Sequence, residues 1–315
     1  MRILVTGANG FVGGALCAFL DLRGHLVRRA MRTSPKRPQT SSFAVGDVGP
    51  QTQWSAAVAK CDAVVHLAAH VHVMRQQAGD AAGVFHHVNV EGSENFARQA
   101  ARAGVRRFVF LSSVKVNGEA SAEHPFVESD PVMPRDAYGV SKAEAEKRLR
   151  TISTETGMEV VVVRPPLVYG PGVKANFFSL LRAVDSGVPL PLSSISNLRS
   201  LVYVGNLVDA LGACLEHQAA ANRTFFVSDD HDVSTPQLIR EIAVALGKKP
   251  LLLPFPPLLL HGVGLLFGRK EQLAHLTGSL QVDVSSIKTM LDWQPPFSLQ
   301  QGLAQTVSWY RTPRG

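Results

Sequence analysis

The chain has 315 residues, 45% of them hydrophobic, and a formal charge of +7, which is enough for one large or two interlocked domains with a full core. Its Lys and Arg residues are scattered, with no long basic run and no basic stripe interleaved with aromatics, which argues against nucleic acid and for an anionic small molecule. Cys17, Cys61 and Cys214 are far apart and form no C-x-x-C pair, a pattern that speaks for a reducing, cytoplasmic compartment and against disulfides or structural zinc.

The first residues, Arg2-Ile-Leu-Val-Thr6, leave no room for the basic and apolar regions of a signal peptide. Short β-rich runs follow at Ile3 to Thr6, Leu26 to Ala30, Phe43 to Val45, Ala63 to Leu67, Phe108 to Ser112 and Val160 to Arg164. Helical spacing fills Phe11 to Arg23, Val84 to Ala103 and Ala137 to Glu155. The alternation predicts an α/β fold, a doubly wound parallel sheet with helices on both faces. Residues 1–170 read as a Rossmann-type NAD(P)-binding domain and 171–315 as a smaller substrate-binding lobe. Ser200 to Val204 and Thr224 to Val227 read as strands returning to the main sheet. The most apolar stretch, Leu251 to Phe267, is broken by Pro254, Pro256, Pro257, Gly262 and Gly264 and is short for a membrane span. It reads as a buried cap over the site, with no membrane insertion.

Gly7, Gly10 and Gly13 lie between the first strand and the first helix, the context that marks a dinucleotide turn. There the backbone approaches a pyrophosphate closely, and the amides of Phe11 and Val12 open a helix whose positive end faces it. After the second strand the acid that would hold the ribose of NAD(H) is missing, and the chain reads Arg28-Arg-Ala-Met31-Arg32. Arginine can accommodate a 2′-phosphate, so Arg32 favours NADP(H) over NAD(H). Asp47 and Val48 follow the third strand, where they either cap the adenine or form an ordinary turn. The histidines at 66, 70, 72, 86 and 87 lack ligand spacing, and no metal is expected. Leu67, Ala68 and Ala69 read as a strand end whose small residues let the cofactor approach.

Tyr138 and Lys142 are four apart on one helix and share a face. Lowering a phenol from about 10 to near 7 takes about 4 kcal/mol, which one ammonium at about 4 Å supplies at an effective dielectric of about 20. The pair therefore reads as a proton donor and acceptor that works at neutral pH.

These motifs, with Ser113, Arg164-Pro-Pro-Leu-Val-Tyr-Gly-Pro171 and Arg199-Ser-Leu-Val-Tyr-Val204, resemble an extended short-chain dehydrogenase/reductase of the nucleotide-sugar epimerase/dehydratase kind. The resemblance runs from Arg2 to about Tyr310. It implies chemistry at C4 of a UDP-linked hexose. Tyr138 would exchange the O4 proton, Lys142 would hold the nicotinamide ribose and tune Tyr138, and Ser113 would bond the C4 oxygen. It also implies that Asn89 supports the site near Lys142 and that Pro165 and Val168 touch the cofactor. Arg199 would bind the diphosphate and Asn176 would lie near the nucleotide phosphates. Members often pair through two helices, which makes Val84 to Ala103 and Ala137 to Glu155 the candidates for a homodimer.

The departures narrow the reaction. Family dehydratases carry carboxylates directly after the catalytic Ser or Thr, where this chain has Val114 and Lys115, so dehydration is not expected. Lys115 shares strand parity with Ser113 and so could face the pocket, and Val114 beside it is a further candidate substrate contact. Leu167 replaces an Asn common in 4-epimerases. Three readings stay open. The first is a reductase of a 4-keto-6-deoxy-N-acetylhexosamine, similar to bacterial enzymes in the Ser-Val-Lys-Val-Asn-Gly run. The second is a UDP-sugar 4-epimerase, and the third a non-catalytic dinucleotide sensor.

Overall fold

β1 (Arg2–Thr6) is the axis of the fold, and its Ile3, Leu4 and Val5 have no exposed surface. A continuous apolar run of this kind suits a parallel strand covered by helices on both faces. In the computed structural model, which describes residues 1–33, 41–71, 81–121, 123–256 and 276–312, β1 pairs in parallel with β2 (Leu26–Met31) and β4 (Ala63–His66). β3 (Ser42–Ala44), β5 (Arg107–Leu111), β6 (Glu159–Arg164) and β9 (Thr224–Phe226) complete a seven-stranded parallel sheet in the order β3-β2-β1-β4-β5-β6-β9. The strand order reverses between β1 and β4, and ligands of such sheets bind at the carboxyl ends of strands at that point.

Alternate residues of the central strands β1, β4, β5 and β6 feed two apolar layers. Ile3 and Val5 join the layer covered by α1 (Phe11–Leu22) and α7 (Val204–Glu216). Leu4 joins the layer covered by α2 (Ser55–Val58), α4 (Gly92–Arg102) and α5 (Ala137–Thr156). The predicted strands and helices of the first half all form near their expected bounds, with one interruption. Val84 to Ala103 is not a single helix: α3 (Ala81–Phe85) widens into a π turn, His86–Glu91, before α4 begins.

Thr224 to Val227 does join the main sheet, as β9. Ser200 to Val204 does not: β8 (Leu201–Tyr203) pairs with β7 (Leu167–Tyr169) in a separate two-stranded sheet. The reason lies in Pro165-Pro166, which cannot donate to a ladder and break the chain away from β6, so β7 becomes a new partner. Beyond it run α6 (Ala175–Asp185), α8 (Thr235–Ala245), α9 (Ser285–Leu291) and α10 (Leu299–Arg311). The apolar cap read at Leu251 to Phe267 lies outside the described residues beyond Pro256. Among the described residues no helix is long and apolar enough to cross a membrane.

Candidate active site

The glycine turn leaves β1 at the switch point. Gly7 has φ +65°, and a Cβ there would stand 3.1 Å from the Ala68 nitrogen, so the turn is pressed against the end of β4. A Cβ on Gly13 would lie 2.0 Å from the Gly7 carbonyl oxygen, which no side chain can do. Gly10 caps α1 without a side-chain bond, so the amides of Phe11 and Val12 have no intrahelical acceptor and point out of the helix end. Beside this turn opens a cleft of about 570 Å³, lined among others by Gly7, Arg32, Asp47, Val48, Ala68 and Ala69. Glycines at the points of closest approach, helix-end amides without an intrahelical acceptor and an adjoining cleft fit a dinucleotide, with the pyrophosphate at the helix end.

Two buried networks hold the cleft's walls. Thr6 and His66 are paired across β1 and β4, and Thr6 Oγ1 lies 2.7 Å from His66 Nδ1. The same hydroxyl accepts the Leu67 and Ala68 amides, at 3.1 Å each, so its own proton goes to Nδ1. His66 therefore carries its proton on Nε2 and donates it to Ser93 Oγ at 3.0 Å. Burial, helped by the Lys142 charge, depresses His66 to about 3, and the ring is neutral. In the second network Asn89, buried inside the π turn, accepts the His70 amide at 2.7 Å and donates to the His70 carbonyl at 3.1 Å and to Ser141 Oγ at 2.9 Å. Ser141 in turn donates to the Tyr138 carbonyl at 2.7 Å. The π turn supplies the local widening that lets Asn89 join the loop after β4 to the start of α5.

Ser113 sits just past β5 and caps a 3₁₀ turn, Val114–Val116, accepting the Lys115 amide at 3.3 Å. The Ser112 amide bonds Val163 at 2.7 Å and the Val114 amide bonds Pro165 at 3.0 Å, which locks this turn to the end of β6. The turn packs on the first turn of α5, where Asp136 Oδ1 accepts the Gly139 amide at 2.6 Å and caps the helix. Tyr138 follows with its ring edge-on to Phe85, centroids 6.0 Å apart. Lys142 is buried at 2% exposure with its ammonium 4.0 Å from the Phe110 ring centre.

The expected tuning of phenol by ammonium is not what this arrangement delivers by itself. Burial, with the Asp136 charge behind it, pushes Tyr138 up to about 12. Burial brings Lys142 down to about 7, with Glu146 pulling it back up. A drop from about 12 to neutrality is worth about 7 kcal/mol, and one ammonium at about 4 Å offers about 4 kcal/mol. Desolvation was the missing quantity in the sequence argument.

Other candidates fall in varied places. Val114 is a core residue, with its side chain in the main apolar layer, so it offers a substrate nothing but backbone. The strand ends at Leu111, the parity argument for Lys115 fails with it, and the Lys115 ammonium lies 2.5 Å from Asp136 and 3.3 Å from Glu119. Arg32 and Asp47 meet each other at the cleft's rim, 2.8 Å apart, with side chains 74% and 84% exposed. Arg28 and Arg29 turn elsewhere, to the Phe43 ring and to Asp21. Arg199 is largely desolvated, which lowers its pKa, and its guanidinium donates to the Gly278 carbonyl at 3.0 Å. Asn176 is exposed in the first turn of α6, and Leu167 opens β7 at 38% exposure. Among the described residues, Arg199 bonds Gly278 rather than Ser113, Tyr138 or Lys142. No group of three or more His, Cys, Asp or Glu among the described residues is arranged to hold a metal.

Asp136, Ser141 and Glu146 also belong to the site's frame, as does Arg164, which opens the motif that runs to Pro171. Asp136 had a readable signal, an Asp just before a helical run. Glu146 and Arg164 meet only in three dimensions: Arg164 donates to the two carboxylate oxygens at 2.9 and 2.5 Å, and Ser112 adds a third bond at 2.6 Å.

The model of the NAD dependent epimerase/dehydratase family matches residues 3–227. The chain is 46% identical to the UDP-glucose 4-epimerase of Vibrio cholerae over 308 residues, covering 97% of this chain and 94% of that protein. It is 27% identical to the N-acetyl-alpha-D-glucosaminyl-diphospho-ditrans,octacis-undecaprenol 4-epimerase of Escherichia coli O157:H7, covering 98% and 95%. Among solved structures, MoeE5 in complex with UDP-glucose and NAD superposes with a TM-score of 0.80 at 24% identity, covering 99% of both chains.

Proposed function

The chain belongs to the NAD-dependent epimerase/dehydratase family of short-chain dehydrogenase/reductases, and on that premise we propose that it interconverts UDP-linked hexoses differing in configuration at C4. The observation that carries this reading is the full-length, 46% likeness to a UDP-glucose 4-epimerase. It moves epimerisation ahead of the 4-keto-sugar reductase, which rested on two short segments, the run after Ser113 and Leu190-Pro-Leu192. The residues after Ser113 support it as well, since neither Val114 nor the ion-paired Lys115 can do a dehydratase's acid–base work at a neighbouring carbon.

The dinucleotide, when bound, supplies a hydride acceptor and donor. The amides after Gly10 would hold its pyrophosphate, Asp47 and Val48 would border its adenine end, and Lys142 would bind the nicotinamide ribose. Tyr138 takes the proton from the sugar's O4 as C4 is oxidised and returns it after the 4-keto sugar has turned its other face. Ser113 donates to the C4 oxygen throughout, and Arg199, desolvated and cationic, holds the diphosphate. An epimerisation of this kind would leave the dinucleotide unchanged over the full cycle. We assign the retained cofactor as NAD, because Arg32, the arginine at the cleft's rim among the described residues, is already matched by Asp47 and the family is NAD-dependent.

The test is purification followed by assay without added cofactor. Released dinucleotide is expected to have the mass of NAD, and UDP-galactose is expected to give UDP-glucose. Stoichiometric oxidation of added NADPH by a keto sugar, with no 4-epimerisation, would replace this reading with the reductase.

A further inference from the structure

Lys115 stands where family dehydratases carry a carboxylate, and its surroundings give it another task. The turn that bears it is jammed against the helix that bears Tyr138. A Cβ on Gly139 would lie 2.7 Å from the Lys115 carbonyl oxygen, and the Met133 amide donates to the Val116 carbonyl at 3.0 Å. The Lys115 ammonium reaches across the same seam to Asp136 Oδ2 at 2.5 Å and Glu119 Oε1 at 3.3 Å. The other oxygen of Asp136 accepts the Gly139 amide at 2.6 Å. One carboxylate thus starts the phenol's helix and sets a negative charge two residues from the phenol, and Lys115 is the cation that answers it.

We propose that Lys115 is a positioning residue that holds the Ser113 turn in register with Tyr138 and, through Asp136, sets the pH at which the phenol releases its proton.

Among the described residues, the charged groups around Tyr138 leave this part to Lys115. Lys142, on the phenol's own helix, lies over Phe110 with Glu146 one turn further on. From the π turn, His86 faces Glu144 and Glu91, and from α4, Glu94 is paired with Arg148. From β6, Arg164 is closed on Glu146. His70 meets Phe85, which stands between it and Tyr138. The Asp136 charge remains, it raises Tyr138, and Lys115 is the ammonium hydrogen-bonded to it. The Lys115 and Asp136 side chains are 31% and 26% exposed, so water screens part of the effect. Removing the ammonium should raise the phenol by about 0.5–1 pH unit, the scale of a partly screened charge.

The inference rests on Tyr138 acting as the acid–base group, and two readouts separate the claims. In the pH profile of kcat with UDP-galactose, Lys115→Met should shift the acid limb up by about 0.5–1 unit and Asp136→Asn should shift it down. Lys115→Arg should restore the wild-type limb. Asn remains a good helix cap, so Asp136→Asn keeps the fold if Lys115→Met does not. Independently of turnover, phenolate absorbance at pH 11, taken as each protein minus its Tyr138→Phe counterpart, should fall in Lys115→Met and rise in Asp136→Asn. A lower melting temperature with both readouts unmoved makes Lys115 merely structural and overturns the proposal. Full activity in Tyr138→Phe itself overturns the reading of the reaction instead, and the absorbance difference then decides on Lys115.

Discussion

Glu146 and Arg164 form a two-pronged ion pair with side chains 3% and 2% exposed, tying the helix of Tyr138 and Lys142 to β6 directly behind the site. Ser112 and Asn117 complete it, the first donating to Glu146 and the second accepting from Arg164 at 3.0 Å. Breaking one side strands a charge in the core. Glu146→Gln should lower the free energy of unfolding by about 3–5 kcal/mol, whereas Glu146→Leu combined with Arg164→Met should recover much of the loss. Urea denaturation measures both, and a single variant costing under about 1 kcal/mol would show the pair to be solvated. Glu146→Gln should also weaken turnover at neutral pH, because it removes the charge that holds Lys142 protonated.

Tyr138→Phe tests the chemistry with the least structural disturbance, since the ring's edge contact with Phe85 survives. Turnover should fall by about 10²–10⁴-fold, the usual worth of a positioned acid–base group. Bound dinucleotide, read from the absorbance of purified protein, should stay within a factor of about two. Loss of both together would mean that the phenol's role is to hold the cofactor.

The rim pair makes a prediction about cofactor choice. Arg32 and Asp47 are both exposed, so their contact contributes at most about 1 kcal/mol, but it places a carboxylate beside the arginine that a 2′-phosphate would need. Wild-type protein should bind NADH more tightly than NADPH. Asp47→Asn should raise NADPH affinity by about three- to tenfold, as removing one screened like charge would. Isothermal titration with both nucleotides checks this, and an Asp47→Asn variant that favours NADPH no more than wild type would remove Asp47 from the choice.

The half of the fold that bears the glycine turn was legible because its signals are local. Apolar runs, helical spacing and glycine positions each depend on a few neighbouring residues, and they placed β1 to β6, α1 and α5. Most of the differences are long-range. Nothing near Ser200 says that β8 pairs with β7, since that follows from where Pro165 breaks β6. Nothing near Asn89 requires a π turn, which serves contacts to His70 and Ser141 in distant segments. The Tyr138/Lys142 spacing was readable, but burial, which moves both groups, comes from residues packed around them. Lys115 looked available because its two carboxylates lie on other turns.

His66 carries the last prediction, on acid stability. Its folded pKa of about 3 lies below the unfolded value of about 6.5, because burial and the Lys142 charge disfavour the imidazolium. A depressed group adds stability that is fully present above the unfolded value and is lost as pH falls toward the folded one. Between about pH 6 and pH 4 this single ring should therefore cost up to about 1.4 kcal/mol per pH unit. His66→Gln keeps one acceptor for Thr6 and one donor for Ser93 but does not titrate. It should be less stable than wild type at pH 7, and the gap should shrink steadily toward pH 4. Urea midpoints across that range measure the gap, and a gap independent of pH would mean that His66 is protonated in the folded protein, contrary to the Thr6–His66–Ser93 bonding.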